Sequence, residues 1–286
     1  MSKKITCVCL AFFSLLGFTR ILPAQTGEGE SPAYMDWVMQ GRPYIEATYG
    51  LGKPKQELFT GEFARLGAVE LKMGYSVVKP HKDYVSYLEE RFLFGGQFKK
   101  DWDTSSENDP TQVESKMSRF GAGLRQGYGY AFGKFVLLPY NQFTFVWTKL
   151  ESTPPTGLAQ EDVDILNRYE GTYRFGQASE GGIKLNAFKF LSLTGGYEAA
   201  VVFPRHLFGK WLGSFTLMSM GLSAATLFSE RVVDSSPFFG PLMFFILRNG
   251  VAYGFYKGMQ KDMNWPFDTE TPLTVEAFKV SAAITF

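Results

Sequence analysis

Few residues of this chain could take part in catalysis. The search for a catalytic site starts from the two histidines, His81 and His206. His206 would share one helical face with Lys210 and Ser214 at four-residue spacing. A serine activated by a histidine base is the arrangement of a hydrolase, with Glu198 nearby to orient that base. We favour the alternative that His206 is a capping or interfacial residue, and that His81 is a solvated turn residue. No catalytic residue is therefore assigned.

Metal and cofactor sites find no support in the pattern of ligand residues. There is no histidine pair and no Asp-rich calcium loop, and both cysteines, Cys7 and Cys9, lie in a segment that we expect to be removed. The Gly-x-Gly stretches at 121–123 and 127–129 fall within a predicted strand, not in a phosphate-binding loop. A net charge of +1 gives no electrostatic case for nucleic acid. We expect neither cofactor nor metal, and no nucleic-acid partner.

The N-terminus has the pattern of a secretory signal peptide. Lys3 and Lys4 precede an apolar run from Ile5 to Phe18, and Leu22-Pro23-Ala24 supplies a cleavage point. The apolar run is too short to remain as a membrane span. This predicts a signal peptide at 1–24, a polar lead-in at 25–42 and one domain over 43–286.

The C-terminal residues predict a strand with one apolar and one polar face. Its apolar face ends on an aromatic residue and consists of Phe278, Val280, Ala282, Ile284 and Phe286. This ending resembles the C-terminal signal that the assembly machinery of bacterial outer-membrane β-barrels reads. The resemblance implies that this machinery is a partner of the chain.

Composition and alternation extend the strand pattern to most of the chain. The sequence holds 28 Phe and 14 Tyr, yet 20% of its residues are charged and its mean hydropathy is −0.08, as expected for strands with one polar face. Eight segments alternate in hydrophobicity: 44–49, 63–77, 85–98, 117–130, 135–147, 180–187, 191–203 and 274–286. Short connections follow the second, fourth and sixth segments, and long ones follow the first, third, fifth and seventh. Reading 165–176 as a ninth strand would break this alternation, so we interpret 161–169 as one or two helical turns.

This architecture resembles the OmpA-like transmembrane barrels over about residues 43–203 and 272–286. The resemblance implies an all-β, up-and-down antiparallel barrel of about eight strands in the outer membrane of a Gram-negative bacterium, surrounded by membrane lipids. It rests on no family-specific motif, and so it implies no activity. A soluble secreted β-protein, whose aromatic faces would form a core, remains an alternative.

Charged residues of both signs recur on the polar faces of the predicted strands. An eight-stranded barrel has an interior that side chains just fill, and charges there must be paired. We expect a luminal ion-pair network, and favour a packed plug over a narrow polar channel. Its predicted members are Glu46, Glu70, Lys72, Glu89, Arg91, Arg119, Arg125, Glu180, Lys184, Glu198 and Lys279.

An insertion at 204–271 does not follow the strand pattern. Residues 211–228 carry no charge and 238–256 carry little, and a charged turn with Pro237 separates them, which predicts a helical hairpin. The hairpin could be a pair of transmembrane helices, a cap folded over or against the barrel mouth, or a surface for a partner or lipid. We favour the cap, which is compatible with a partner surface. The stretch 264–267 is either an aromatic interfacial anchor or a plain turn.

These patterns favour a structural or binding role, with the hairpin and the long loops as the interaction surface and a protein partner at the hairpin. Passage of small solutes or lipids through a porin-like barrel is the second hypothesis. An outer-membrane lipid hydrolase that uses His206 is the third.

Overall fold

The structure, a computed structural model, describes residues 41–103, 111–188 and 190–286. The predicted signal peptide and lead-in lie outside these ranges, apart from the last residues of the lead-in. The strands are β1 (Arg42–Gln56), β2 (Leu66–Lys82), β3 (Val85–Lys99), β4 (Glu114–Phe132), β5 (Phe135–Thr153), β6 (Tyr173–Asn186), β7 (Leu191–Val202) and β8 (Leu273–Thr285).

The strands form one closed antiparallel barrel in which each pairs with its neighbours in the chain and β8 pairs with β1. The predicted eight-stranded up-and-down fold is therefore confirmed. Following paired residues once round the wall from Glu46 leads back to β1 at Gln56, ten residues further along. Such a stagger tilts the strands, and a barrel of this size has an interior that side chains fill.

The two ends of the barrel differ in their connections. At the turn end, short turns after β2, β4 and β6 include Asp83 and Gly133, whose φ angles of 50° and 60° suit tight hairpins. Both chain ends of the barrel lie there, since the Phe286 N–H donates to the Pro43 carbonyl at 2.9 Å. The loop end carries the four long connections, as the sequence predicts.

In the described parts of the long connections there are three α-helices, and a short 3-10 helix (Lys100–Trp102) follows β3. Helix α1 (Gln160–Asn167) lies between β5 and β6, and helices α2 (Phe208–Ser235) and α3 (Gly240–Met259) form the predicted hairpin between β7 and β8. The helical interpretation of 161–169 is thus confirmed. Strand β6 begins at Tyr173, seven residues before the predicted segment at 180–187, so it includes the end of the supposed ninth strand and the count stays at eight.

The hairpin does not cap the barrel mouth, which corrects our favoured expectation. It lies along the outside of the wall, where α3 packs on β4, β5, β6 and β7. A 28-residue helix is about 42 Å long at 1.5 Å per residue, enough to run the length of the wall. Its far end reaches the turn end, where Asp234 contacts His81 at 3.0 Å.

The loop end of the lumen is covered by the β1–β2 connection and α1 instead. Phe59, Phe63, Leu166 and Tyr169 pack on luminal side chains such as Phe98 in one apolar cluster. Thr60 fastens the two segments together, since its N–H donates to Asp162 Oδ1 at 2.9 Å. Burial raises the pKa of the Tyr169 phenol, which therefore stays protonated within this cover.

Candidate functional site

Arg125 lies at the centre of the lumen and holds carboxylates from two other strands. Its guanidinium donates to Glu46 at 2.8 and 2.9 Å and to Glu90 at 2.7 Å. Lys72 forms a second ion pair with Glu46 at 3.0 Å, and Lys184 pairs with Glu90. Each of the two carboxylates therefore contacts two cations, as charges removed from water require.

A second group of ion pairs lies nearer the loop end. Lys279 donates to Glu70 and to Glu198, both at 2.7 Å, and Arg119 donates to Glu198 at 2.7 Å. Glu180 lies beside the Arg125 group, with its carboxylate 3.9 Å from the Lys72 ammonium. The two groups together form what we call the luminal network.

The luminal network contains equal numbers of cations and carboxylates, all buried. Its ten members are Glu46, Glu70, Lys72, Glu90, Arg119, Arg125, Glu180, Lys184, Glu198 and Lys279. The network has no net charge, so it presents no uniform field that would draw ions of one sign.

Buried side chains fill the lumen on both sides of this network. Leu88 and Leu138 pack with Tyr140 toward the turn end, and all three are fully buried. The cluster around Phe98 and the loop-end cover close the other side. An ion crossing the barrel would have to leave water, pass an apolar layer and break ion pairs.

The structure places nine of the eleven predicted luminal residues in the network, and it corrects the other two. Glu89 and Arg91 lie on the outer face of β3, and Glu90, which the prediction missed, takes the inward position. The alternation of β3 is clear, but its apolar residues, including Phe92 and Phe94, face inward, so the wrong face was selected. The signal that identifies Glu90 is its register opposite Arg125 on β4.

Glycines on β4 explain why bulky rings of β3 fit inside. A Cβ on Gly123 would lie 2.5 Å from the Phe92 ring, and one on Gly121 would lie 2.8 Å from the Phe94 ring. The rings therefore occupy the space that side chains at these positions would fill. The rings lie beside the luminal guanidinium groups, with Arg119 5.9 Å from the Phe94 ring and Arg125 5.9 Å from the Phe92 ring.

Polar contacts fix the hairpin to the outer wall near its middle. The Asn249 amide donates to the Tyr140 carbonyl at 3.2 Å and accepts from the Asn141 amide at 2.9 Å. Gly181 permits this close approach, because a Cβ there would lie 2.6 Å from the Asn249 side-chain oxygen. Because Asn141 is a buried polar residue on the outward face, the wall is complete only with the hairpin in place.

Aromatic rings fix the hairpin nearer the loop end. Phe145 of β5 lies 5.5 Å from Phe215 and 6.3 Å from Trp211, between ring centroids. His206 joins this cluster, 5.4 Å from Trp211 and 5.2 Å from Phe175. Offset and edge-to-face packing of this kind adds to the energy of burial.

The three residues of the hydrolase hypothesis are not brought together. Glu198 faces the lumen in the luminal network, whereas His206 and Ser214 lie outside the barrel. The Ser214 hydroxyl donates to the Trp265 carbonyl at 2.6 Å. The 264–267 stretch thus forms a turn packed on the hairpin, with Trp265 against Gly258. Its role as a membrane anchor stays a prediction.

Four residues of the predicted assembly signal share the outward face of β8, and the fifth, Phe286, directly follows the strand. Phe278, Val280, Ala282, Ile284 and Phe286 are all exposed. Their recognition by assembly machinery stays a prediction.

The comparisons with known proteins concern the fold. No family model matches the chain, and no curated protein is similar to it in sequence. Among solved structures, Neisserial surface protein A is 8% identical, with a TM-score of 0.39, and the match covers 85% of this chain and 97% of that one. The attachment invasion locus protein Ail of Yersinia pestis, in complex with sucrose octasulfate, is 9% identical, with a TM-score of 0.32 and coverage of 87% and 100%. At such scores the likeness assigns no function to this chain.

Proposed function

We propose that this protein is a non-conducting outer-membrane β-barrel of a Gram-negative bacterium with a structural or binding role. Its working surfaces are the hairpin on the wall and the long loops. The observation that carries the proposal is a lumen filled by a neutral ion-pair network and closed at both ends, inside a wall whose outward face is apolar.

The outward face of the wall supports a membrane location. Leu93, Phe278 and Val280 are 62%, 70% and 61% exposed, and similar residues continue over β1, β2 and β8. Contiguous exposed apolar surface beyond a few hundred Å² marks a contact with membrane or protein. The alternative of a soluble β-protein requires the aromatic faces to form a core, whereas many of them point outward.

The dimensions of the barrel suit a bilayer. Its strands have 12 to 19 residues, and a transmembrane β-strand needs about 9–11. Outer-membrane barrels have short periplasmic turns and longer outer loops. In this orientation the turn end, with Phe286, faces the periplasm, and the cover of Phe59, Phe63 and α1 faces outside.

The hairpin belongs to the membrane region in this proposal. Helix α2 is long and apolar enough to cross a membrane, with a mean hydropathy of 1.3 over its most apolar window, of which 17% is buried. A helix satisfies its own backbone hydrogen bonds, so it tolerates lipid on its free side. The wall thus presents an aromatic and aliphatic helical surface that a plain barrel lacks, and this surface is where we place a protein partner.

A combined assay of membrane insertion and conductance tests the proposal. We expect the purified protein to fractionate with outer membranes, to migrate faster unboiled than boiled on a gel, and to give no discrete currents in planar bilayers. Discrete currents from a folded barrel would favour the passage of solutes and refute the closed lumen. Recovery in the soluble periplasmic fraction would refute the membrane location.

A further inference from the structure

The junction between the hairpin and the β3–β4 part of the wall contains charged and polar residues that the luminal network does not use. We call this group the seam cluster. Its members on the wall are Tyr87, Glu89, Arg91, Gln126 and Tyr128, and those on the hairpin are Thr226, Glu230 and Arg248.

The seam cluster lies within the apolar part of the outer surface. Glu89 is four residues from the start of β3, roughly 13 Å along the strand at 3.3 Å per residue. Toward the loop end, the next outward residues are Leu93 on β3 and Leu124 on β4, and toward the turn end Tyr84 stacks with Tyr130. Ionisable residues at such a depth are costly and mark functional sites.

The carboxylate on the wall side is already well supplied with donors. Glu89 accepts from the Tyr87 hydroxyl at 2.7 Å and from the Arg91 guanidinium at 2.9 and 3.1 Å. The Gln126 amide donates to the Tyr87 hydroxyl at 3.1 Å, while its buried side-chain oxygen has no hydrogen-bond partner. On this side of the cluster, the Gln126 side-chain oxygen is therefore a buried acceptor that receives no hydrogen bond.

Arg248 is a buried charge of the hairpin with few polar partners. It is 7% exposed, it donates to the Thr226 hydroxyl at 2.7 Å, and its guanidinium lies 5.1 Å from the Phe244 ring. Its buried Nε has no hydrogen-bond partner among the described residues. A buried guanidinium in this position needs an anion.

Glu230 lies one helical turn beyond Thr226, toward the turn end. The Tyr128 hydroxyl donates to Glu230 Oε1 over a long 3.4 Å, and the Thr226 hydroxyl accepts from Arg248. The seam therefore places a cation nearer mid-membrane and a carboxylate nearer the turn end.

We infer that the seam cluster binds the headgroup of a zwitterionic phospholipid that carries a primary ammonium. The phosphate takes the Arg248 guanidinium, and the ammonium, which lies beyond the phosphate in such a lipid, takes Glu230. From mid-membrane toward the turn end, Arg248 comes before Glu230. A phospholipid of the periplasmic leaflet presents its phosphate and then its ammonium in the same order, because its acyl chains point toward mid-membrane. This inference rests on the proposed membrane location.

The mixed charge of the site argues for this class of ligand. An anionic lipid without an amine would meet Glu230 with like charge, and a quaternary amine cannot donate a hydrogen bond to the carboxylate. The acyl chains find apolar surface beside the cluster, since Leu93 and Leu227 are both exposed.

The test compares headgroups in nanodiscs that hold the folded barrel. The nanodiscs contain equal amounts of phosphatidylethanolamine, phosphatidylcholine and phosphatidylglycerol with the same acyl chains. After detergent extraction, native mass spectrometry counts the lipid molecules of each type that stay bound to the barrel. We expect phosphatidylethanolamine to be enriched, and Arg248→Gln to lower its retention about tenfold, as for the loss of a charge-assisted bond. Glu230→Gln should remove the preference for ethanolamine over choline while phosphate-dependent retention persists.

Arg205→Gln is the matched control, because Arg205 is an exposed arginine of the same insertion that pairs with Glu270 at the loop end. It should leave retention unchanged. Equal retention of the three lipids by the wild-type barrel, or unchanged retention in Arg248→Gln, would overturn the inference. Failure to form a heat-modifiable barrel in bilayers would instead refute the proposed membrane location, so the two failures are distinguishable.

Discussion

Replacing Arg125 by alanine tests whether the luminal network stabilises the barrel. The change removes the donor of three hydrogen bonds to Glu46 and Glu90 and leaves five buried carboxylates with four cations. Breaking a buried ion pair by removing one partner costs about 3–5 kcal/mol. Since Lys72 and Lys184 still contact the two carboxylates, we expect the lower end, about 3 kcal/mol of the free energy of unfolding.

The assay is urea unfolding of the barrel in lipid vesicles, followed by tryptophan fluorescence and by the fraction of heat-modifiable protein. Arg205→Ala is the control, because an exposed pair such as Arg205–Glu270 contributes about 0–1 kcal/mol. The double variant Arg125→Met, Glu46→Gln restores charge balance and should recover at least half of the loss. A loss for Arg125→Ala no larger than that of the control would refute the reasoning.

Three further variants address the hairpin, the cover and the C-terminus. Asn249→Leu leaves Asn141 without its buried partner, so we expect a loss of about 1–3 kcal/mol in the same unfolding assay, and an unchanged stability would contradict the docking on the wall. Phe59→Ala should loosen the loop-end cover, so that a protease added to intact vesicles cleaves it faster, while the barrel still conducts no ions. Discrete currents from this variant would show that the cover alone closes the lumen. Deletion of Phe286 should reduce the assembled fraction in cells, and normal assembly would remove it from the predicted signal.

The barrel was predictable because its determinants are periodic. Alternation of apolar and polar residues, the even strand count and the difference between short and long connections follow from the backbone geometry of an up-and-down barrel. These patterns identified all eight strands, although several extend beyond their predicted segments: β1 to Gln56, β2 to Lys82, β5 to Thr153, and β6 back to Tyr173. In the added part of β1, glycine and lysine interrupt the alternation.

The faces and the docking were less predictable, for physical reasons. Strand β3 has aromatic residues on its inward face and Glu89 and Arg91 on its outward face, so hydrophobicity selects the wrong side unless the register opposite β4 is known. Helices α2 and α3 are apolar nearly all round, so no single face indicates what they pack on. Their place on the wall depends on pairs distant in sequence, such as Asn249 with Asn141.

A label on the hairpin tests whether the closed barrel lies in the membrane with the hairpin along its wall. Single cysteines at Leu242, Ile246, Gly250 and Gly254 place a fluorescent label on the exposed side of α3, where a Cβ on either glycine meets open space. The measurement compares quenching by brominated acyl chains with quenching by iodide in water. We predict that acyl-chain quenching is strongest at Ile246 and Gly250, with iodide excluded there. Strong iodide quenching at all four positions would contradict this arrangement.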